Sequence, residues 1–262
     1  MEQTKIDAYG DELYDALKNR TTVIPFTERE SDITIEDGYQ IQQRVINRRI
    51  EQDGERVVGK KIGVTSKAVQ DMLGVHQPDF GYLMSSTAYN DGDSIKISDS
   101  LIQPKMEGEI AFILKKDLTG PGVTNADVLS ATDFVMACFE ICDSRIQDWK
   151  IKIQDTVADN ASAGAYLLGD RAVAPDKVDL KTCGMILEKN GEIVSLGAGA
   201  ATLGHPLNAV AWLANTLGQR GIALKAGEVI LSGSLAAMVP AQPGDHMRVV
   251  IGGIGSASVV FT

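Results

Sequence analysis

The sequence predicts an α+β protein: a mixed β-sheet rolled into a barrel-like main domain, residues 55–262, behind a small helical N-terminal subdomain, residues 1–54. Three observations carry that prediction. Two amphipathic helical stretches precede Gly54. Beyond it, short strand-like runs follow at close spacing, interrupted by single helices rather than alternating regularly with them. No internal repeat or low-complexity linker divides the remainder, so one main domain is expected.

In chain order, Ile6, Tyr9, Leu13, Ala16 and Leu17 recur at helical spacing. After a loop carrying Pro25, Thr34 is an N-cap with Asp37 three positions on, and the helix it opens runs through Tyr39, Ile41, Val45, Ile46 and Ile50 to a stop at Gly54. Arg56–Val64 reads as a strand, Ser66–Leu73 as a short helix ended by Gly74, and His76–Tyr82 as a loop punctuated by Pro78 and Gly81. Strands are expected around Ser94–Ile97, Glu107–Leu114 and Phe134–Cys142, with a Thr124-capped helix at Asn125–Ala131. Asp155–Ala163 is polar and turn-rich, and Tyr166–Leu168 opens a further strand. Asn190-Gly191 between Met185–Glu188 and Glu192–Ser195 is a hairpin signal, because that dipeptide tolerates the positive φ of a type I′ turn. Pro206 fits the first position of a helix reaching Gly218, and Glu228–Gly233, Met247–Ile251 and Ala257–Phe261 complete the β content.

Composition limits the functions available. The 262 residues are 44% hydrophobic, enough for a substantial core, and 26 Gly against 8 Pro point to tight turns rather than disorder. A formal net charge of −10 argues against binding nucleic-acid phosphates or an anionic membrane surface. Cys138, Cys142 and Cys183 form no paired framework and read as reduced core residues; His76, His205 and His246 are scattered singly, so no zinc-type cluster is visible. Met1–Gly10 has no apolar leader region, and no run approaches the ~20 apolar residues of a membrane span, so a cytoplasmic protein with a small-molecule or protein partner is expected.

Chemistry concentrates in Gln103–Leu114, where Glu107 and Glu109 stand two residues apart at the mouth of an apolar strand. Residues i and i+2 of a strand share a face with Cα atoms ~6.6 Å apart, so the two carboxylates can converge on one small object. A hard divalent cation, Mg²⁺ or Mn²⁺, suits such oxygen donors; a solvated edge strand with two surface acids is the plainer alternative. Glu140, near the end of the apolar run Phe134–Cys142, adds a third acid with no adjacent cation. Arg145, in the turn that follows, is its nearest local partner and keeps a structural ion pair open.

Taken together, these acids with Lys61 and Asp79 resemble the fumarylacetoacetate hydrolase-like superfamily, and within it the hydratase/decarboxylase family of aromatic meta-cleavage pathways. The resemblance runs over essentially the whole chain. It rests on Gly59-Lys60-Lys61-Ile62-Gly63-Val64-Thr65-Ser66, Gly74-Val75-His76-Gln77-Pro78-Asp79-Phe80-Gly81, Asp143-Ser144-Arg145-Ile146, Val157-Ala158-Asp159-Asn160-Ala161-Ser162 and Leu203-Gly204-His205-Pro206-Leu207. It implies that Glu107, Glu109 and Glu140 hold Mg²⁺ or Mn²⁺, that Lys61 and Asp79 face the substrate, and that Ser162 is a polar site residue. Residue type alone leaves plainer roles open: Lys61 as partner of a surface acid, Asp79 as a turn residue after Pro78, Ser162 as a cap, His205 as a loop or capping residue. Glu228–Ser234 resembles the superfamily's Gly-Asp-x-Ile-x-Thr-Gly-Thr stretch, but Ser234-Leu235 departs from its Thr-Pro ending, which argues against an acylpyruvate hydrolase.

The activity so implied is addition of water to a 2-hydroxy-2,4-dienoate, in which negative charge develops on the C2 oxygen where a metal can stabilise it. Pro78-Asp79-Phe80 favours the hydratases over 4-oxalocrotonate decarboxylase, which the resemblance implies to lack that acid. A homo-oligomer, a complex with that decarboxylase, and a mainly scaffolding role within the complex are the further expectations the resemblance brings.

Overall fold

The structure is a computed structural model that describes residues 1–262. The first helix, α1 (Gln3–Asn19), α2 (Phe26–Arg29) and α3 (Ile35–Asp53) form the N-terminal layer, where Ile6, Leu13, Phe26, Ile41 and Val45 share a small core. Helix α3 begins at the expected capping box, with Thr34 and Asp37 exchanging hydrogen bonds, and ends at Gly54 with φ 68°. Its other side enters the main core through Tyr39 and Ile46, and Gln42 donates to the carbonyls of Phe80 and Val157 at 2.9 and 3.2 Å.

Thirteen strands follow in two sheets. The chain passes through β1 (Val57–Gly63), α4 (Lys67–Leu73), β2 (Asp79–Met84), β3 (Ala88–Asn90), β4 (Ser94–Ile95), α5 (Ile97–Ser100), β5 (Pro104–Leu114), α6 (Asn125–Ala131) and β6 (Thr132–Asp143). It continues through α7 (Ile153–Ala158), β7 (Ala163–Leu168), β8 (Gly184–Lys189), β9 (Glu192–Ala198), α8 (Pro206–Gly218), β10 (Val229–Leu231), β11 (Val239–Pro240), β12 (His246–Ile251) and β13 (Gly255–Phe261). The larger sheet runs β2-β1-β10-β5-β6-β7-β3, with β11 added on β5; the smaller runs β4-β13-β12-β8-β9. Parallel β1–β10 and β3–β7 pairs among antiparallel neighbours make the larger sheet mixed, as predicted.

Side-chain alternation decides what each face of the larger sheet does. Met106, Ile110 and Phe112 of β5 join the main core with Met185, Met247 and Val249 of the smaller sheet. The two sheets approach so closely that a Cβ at Gly108 would stand 2.8 Å from Val249 Cγ2. Glu107 and Glu109 therefore lie on the opposite face.

Several elements differ from the sequence reading. The sequence presents His76–Tyr82 as a loop, but Asp79 opens β2, all six of whose residues are buried. Pro78 marks a strand start rather than a turn, Phe80 stacks on Tyr39 at 4.5 Å, and a Cβ at Gly81 would stand 2.3 Å from the Asn160 carbonyl oxygen. Strands β5, β6 and β7 are longer than predicted, and α7 with a short left-handed turn fills Asp155–Ser162. The hairpin stands: Asn190 and Gly191 have φ of 55° and 85°. His205 caps α8 by accepting the Leu207 N–H at 3.1 Å. No helix is long and apolar enough to cross a membrane.

Strand β2 is an edge of the larger sheet, and the free backbone groups of Tyr82 are met by a side chain instead of a strand. Asn160 accepts the Tyr82 N–H at 2.8 Å and donates its amide to the Tyr82 carbonyl at 2.9 Å. Asn160→Gly keeps the left-handed backbone, φ 54°, but deletes both bonds. Urea unfolding should show a loss of about 1–3 kcal/mol for the groups left unpaired; an unchanged midpoint would refute the closure.

Candidate active site

Strand register assembles the site. Glu107 pairs with Glu140, Glu109 with Cys138 and Lys105 with Cys142, so these six side chains share the face of the larger sheet turned away from the smaller one. On the same face Lys61 stands opposite Leu231, itself opposite Ala111, and Asp79 stands opposite Gly63. The face opens into a cavity of about 500 Å³ whose wall includes Lys61, Asp79, Lys105, Glu107, Cys142 and Ser162. Glu109 and Glu140, both 0% exposed, lie behind that wall.

Carboxylate oxygens of Glu107 and Glu140 and the thiol of Cys142 come within 4.8 Å of one another. Glu109 is tethered on one side, its Oε2 accepting the Gly233 N–H at 2.7 Å. Gly233 is required there twice over: its φ is +105°, and a Cβ would stand 2.4 Å from Thr65 Oγ1. Lys61 Nζ donates to the Ala161 carbonyl at 2.9 Å and lies 2.9 Å from Glu140 Oε1. That second approach is an ion-pair distance without hydrogen-bond alignment, since neither Glu140 oxygen receives a hydrogen bond. Asp79 Oδ1 and Glu109 Oε1 are likewise buried without partners. Asp79 fits only because its ladder partner is glycine: a Cβ at Gly63 would stand 2.2 Å from Asp79 Oδ1.

Electrostatics follow from three buried acids and the half-buried Glu107 around one ammonium. Burial, then the charge of Glu140, pushes the Glu107 carboxyl up to about 7. Burial, then Glu140 and Glu107, raises Glu109 well above the usual carboxylate range. Burial raises Asp79 to about 6, with Lys61 opposing the rise and Glu140 adding to it. Burial works against the Lys61 charge, but Glu140 and its neighbours outweigh burial and hold the ammonium well above its ordinary value. Unpartnered oxygens and uncompensated negative charge are what a hard divalent cation relieves, so Glu107, Glu109 and Glu140 fit such an ion. Cys142, its thiol raised by burial and then by Glu107, is the soft donor of the set and gives its hydrogen to Glu107 Oε2 at 3.4 Å.

The segment that faces this cluster is strained. Asn160, Ala161 and Ser162 have φ of 54°, 50° and 54° in succession, a left-handed turn costing about 1–3 kcal/mol per non-glycine residue. Its three residues make separate contacts. Asn160 closes the sheet edge, Ala161 O receives Lys61, and Ser162 Oγ meets Thr156 Oγ1 at 3.2 Å on the cavity wall.

Of the six residues singled out in the sequence, Lys61, Asp79, Glu107 and Ser162 thus line one cavity, Asp79 from a strand rather than a turn, and Glu109 and Glu140 lie buried behind its wall. Arg145 is not the partner of Glu140: its guanidinium is consumed by Asp159 and by the Asp143, Asp159 and Ala163 carbonyls. His76 is exposed and off the cavity wall. Sequence reasoning missed Lys105, whose amine lies 4.1 Å from the Trp149 ring centroid, along with Cys142 and Thr156. The period-2 rule that joined Glu107 to Glu109 also reaches Lys105, and from Glu140 it reaches Cys142.

Comparison with known proteins adds an independent line. The family model described as fumarylacetoacetate (FAA) hydrolase, C-terminal, matches residues 56–261. A 2-hydroxypent-2,4-dienoate hydratase of Pseudomonas putida is 67% identical over 85% of this chain and 100% of its own. A 2-hydroxyhexa-2,4-dienoate hydratase of Comamonas testosteroni is 57% identical over 98% of this chain and 97% of its own. Among solved structures, 4-oxalocrotonate decarboxylase from Pseudomonas putida G7, complexed with magnesium and adipate, superposes with a TM-score of 0.95 at 40% identity, covering 100% of this chain and 99% of that one.

The raised acids set a pH response for protein stripped of divalent cations by a chelator. Glu107 and Asp79, at about 7 and about 6, hold protons more tightly when folded than when unfolded. The native state therefore binds more protons between pH ~4 and ~7, and stability falls as pH rises through that window. The urea midpoint should be higher near pH ~5.5 than near pH ~7.5. Glu107→Gln should flatten the difference, and Mg²⁺ or Mn²⁺ should raise the midpoint at the higher pH. A profile that rises with pH would contradict the charge arrangement.

Proposed function

The chain belongs to the fumarylacetoacetate hydrolase family, and from that premise we propose a metal-dependent hydratase that adds water to 2-hydroxypenta-2,4-dienoate (2-oxopent-4-enoate), giving 4-hydroxy-2-oxopentanoate in aromatic meta-cleavage catabolism. Its close relatives are hydratases, and it is an enzyme of the hydro-lyase class. The observation that carries the finer reading is the group of under-neutralised acids, the buried Glu109, Glu140 and Asp79 with the half-buried Glu107, at one cavity with the fixed ammonium of Lys61.

The reaction requires the enol proton to leave the C2 oxygen, a proton to arrive at C5, water oxygen to bond to C4 and a proton to arrive at C3; the sum is one added water. Glu107, Glu109 and Glu140 would hold Mg²⁺ or Mn²⁺, which stabilises negative charge on the C2 oxygen and the C1 carboxylate when bound. Lys61, anchored by Ala161 O, adds a positive charge that stays in place throughout. Asp79, raised to about 6 and with Oδ1 free of protein partners, can both take and give protons near neutral pH. Ser162 and Thr156 offer a hydroxyl pair able to orient water.

The decarboxylase of the same fold supports a second reading, loss of CO₂ from 4-oxalocrotonate. Asp79 favours hydration, because decarboxylation has no water to activate. We extend the proposal to a cytoplasmic homo-oligomer able to associate with that decarboxylase, supported by their common fold. A purely scaffolding role would leave the buried acids without a use.

With Mg²⁺ or Mn²⁺ the purified chain should consume 2-hydroxypenta-2,4-dienoate and stop when chelated. Glu107→Gln and Asp79→Asn should each lower kcat by ~10²-fold or more with the fold retained by circular dichroism. Release of CO₂ from 4-oxalocrotonate without dienoate hydration would overturn the choice, and full turnover by Glu107→Gln/Glu109→Gln would end the assignment of these glutamates to the metal.

A further inference from the structure

A lysine withdrawn from water is normally met by an acid, and this chain follows that rule with one exception. Lys60, Lys61, Lys105 and Lys189 are the lysines that are buried or half-buried. Three of them lie against a carboxylate: Lys60 is 2.5 Å from Glu228, Lys61 2.9 Å from Glu140 and Lys189 2.8 Å from Asp245. Lys105 has no acid within ion-pair reach, and its amine donates no hydrogen bond. It rests instead over the Trp149 ring, 4.1 Å from the centroid, on the cavity wall.

That ring is fixed by its surroundings. Trp149 Nε1 donates to the carbonyl of Gln103, two residues before Lys105, at 3.0 Å. The Gln103 amide in turn donates to the Ser144 and Ile146 carbonyls at 2.8 and 2.6 Å, closing the turn that leads to Trp149. Asp148 and Trp149 hold left-handed backbone, φ 55° and 56°, which costs free energy that these contacts must offset. The outcome differs from an ion pair. An aromatic face steadies an ammonium yet occupies none of its N–H donors, so charge and donors stay available to an anion.

Register tells which anion. Asp79 stands opposite Gly63, two residues beyond Lys61, and Gly233, two residues beyond the Lys61 partner Leu231, holds Glu109. Asp79 thus belongs to the Glu109 end of the acid row, three strands across the sheet from β5. Lys105 lies past Glu107 at the other end, four residues from Glu109 and so ~13 Å along β5. A dienoate whose C4 and C5 are served by Asp79 and whose C2 oxygen meets the acid cluster therefore has its C1 carboxylate toward Lys105. Charge balance asks for a cation there. Three glutamates, one divalent ion and Lys61 sum to zero, so an arriving carboxylate is unmatched, in a chain whose net charge of −10 already opposes it.

Resting on the hydratase reading, we propose that Lys105 binds the C1 carboxylate of the substrate, its ammonium kept unpaired for that purpose by Trp149, which is a positioning residue. The contact is made to a group whose charge is the same before and after water is added, so it serves binding and alignment more than the chemical steps.

The test uses the metal-loaded enzyme and Lys105→Met, Lys105→Arg and Trp149→Leu. Lys105→Met should raise KM for 2-hydroxypenta-2,4-dienoate roughly 10- to 10²-fold, the worth of a hydrogen bond to a charged group, with kcat within about 3-fold of the parent. Lys105→Arg should recover most of the loss, and Trp149→Leu should raise KM less than Lys105→Met does. Calorimetry reads the same contact without turnover: the parent should prefer pyruvate to pyruvamide, which keeps the 2-oxo group but lacks the charge, and Lys105→Met should abolish that preference. The urea midpoint of Lys105→Met should hold or rise, because a half-buried charge without a counter-ion is removed, and Mn²⁺ affinity should not fall. If no dienoate is hydrated while the preference for pyruvate still depends on Lys105, the hydratase reading falls and the carboxylate site stands. If the dienoate is hydrated but Lys105→Met lowers kcat alone, weakens pyruvate and pyruvamide equally, or lowers the urea midpoint, the carboxylate site falls.

Discussion

Three buried acids, the half-buried Glu107 and one buried ammonium, gathered on one face of one sheet, are the constraint that orders the rest of the molecule. Charges cannot be gathered away from water unless the backbone forces them together, because each would otherwise swing toward solvent. The β5–β6 ladder supplies that force: Glu107 is registered against Glu140, and the opposite face is fastened by the apolar packing of Met106, Ile110 and Phe112 against the smaller sheet. Slipping either strand by one residue would send the glutamates into that apolar core and Met106 toward the cavity, so the hydrophobic pattern and the acid pattern fix the same register.

The same constraint explains where the backbone is unusual. Three left-handed residues in a row, Asn160 to Ser162, are unfavourable on their own. They persist because the Asn160 amide completes the edge of β2 and because Ala161 O anchors the lysine that faces Glu140. Glycine appears at the two places where the cluster is tightest, Gly63 against Asp79 and Gly233 against Glu109. Strain and close approach thus sit beside the charges rather than being scattered through the loops.

What the sequence reveals follows from which of these forces are local. Glu107 and Glu109 are legible because a strand's two-residue period brings them to one face without knowledge of any partner. Glu140 is legible only as an anomaly, a carboxylate in an apolar run; its true neighbour is distant in sequence, and the nearby Arg145 belongs to Asp159. On residue type Asp79 reads as a turn residue because Pro78 and Gly81 imitate loop punctuation, whereas the Gly81 signal comes from the close approach of Asn160, far off in sequence. The helical front, the Asn190-Gly191 turn and the His205 cap are written in local chemistry and are accessible from it. Lys105 and Cys142 share the two-residue period of the acids but are ordinary as residue types, and Thr156 of α7 carries no local signal until the fold places all three on one wall.

That division between ladder and loop bears on how one fold serves several chemistries. The acid cluster needs sub-ångström constancy to keep like charges near one another, and it stands on long paired strands. The apolar cavity wall stands instead on seven-residue α4 and on the segment after β10, where a substitution disturbs no ladder hydrogen bond. The 0.95 TM-score shared with a decarboxylase at 40% identity is what such an arrangement allows: sheets that superpose, while side chains at the margin between ladder and loop, where Asp79 opens β2, are free to differ.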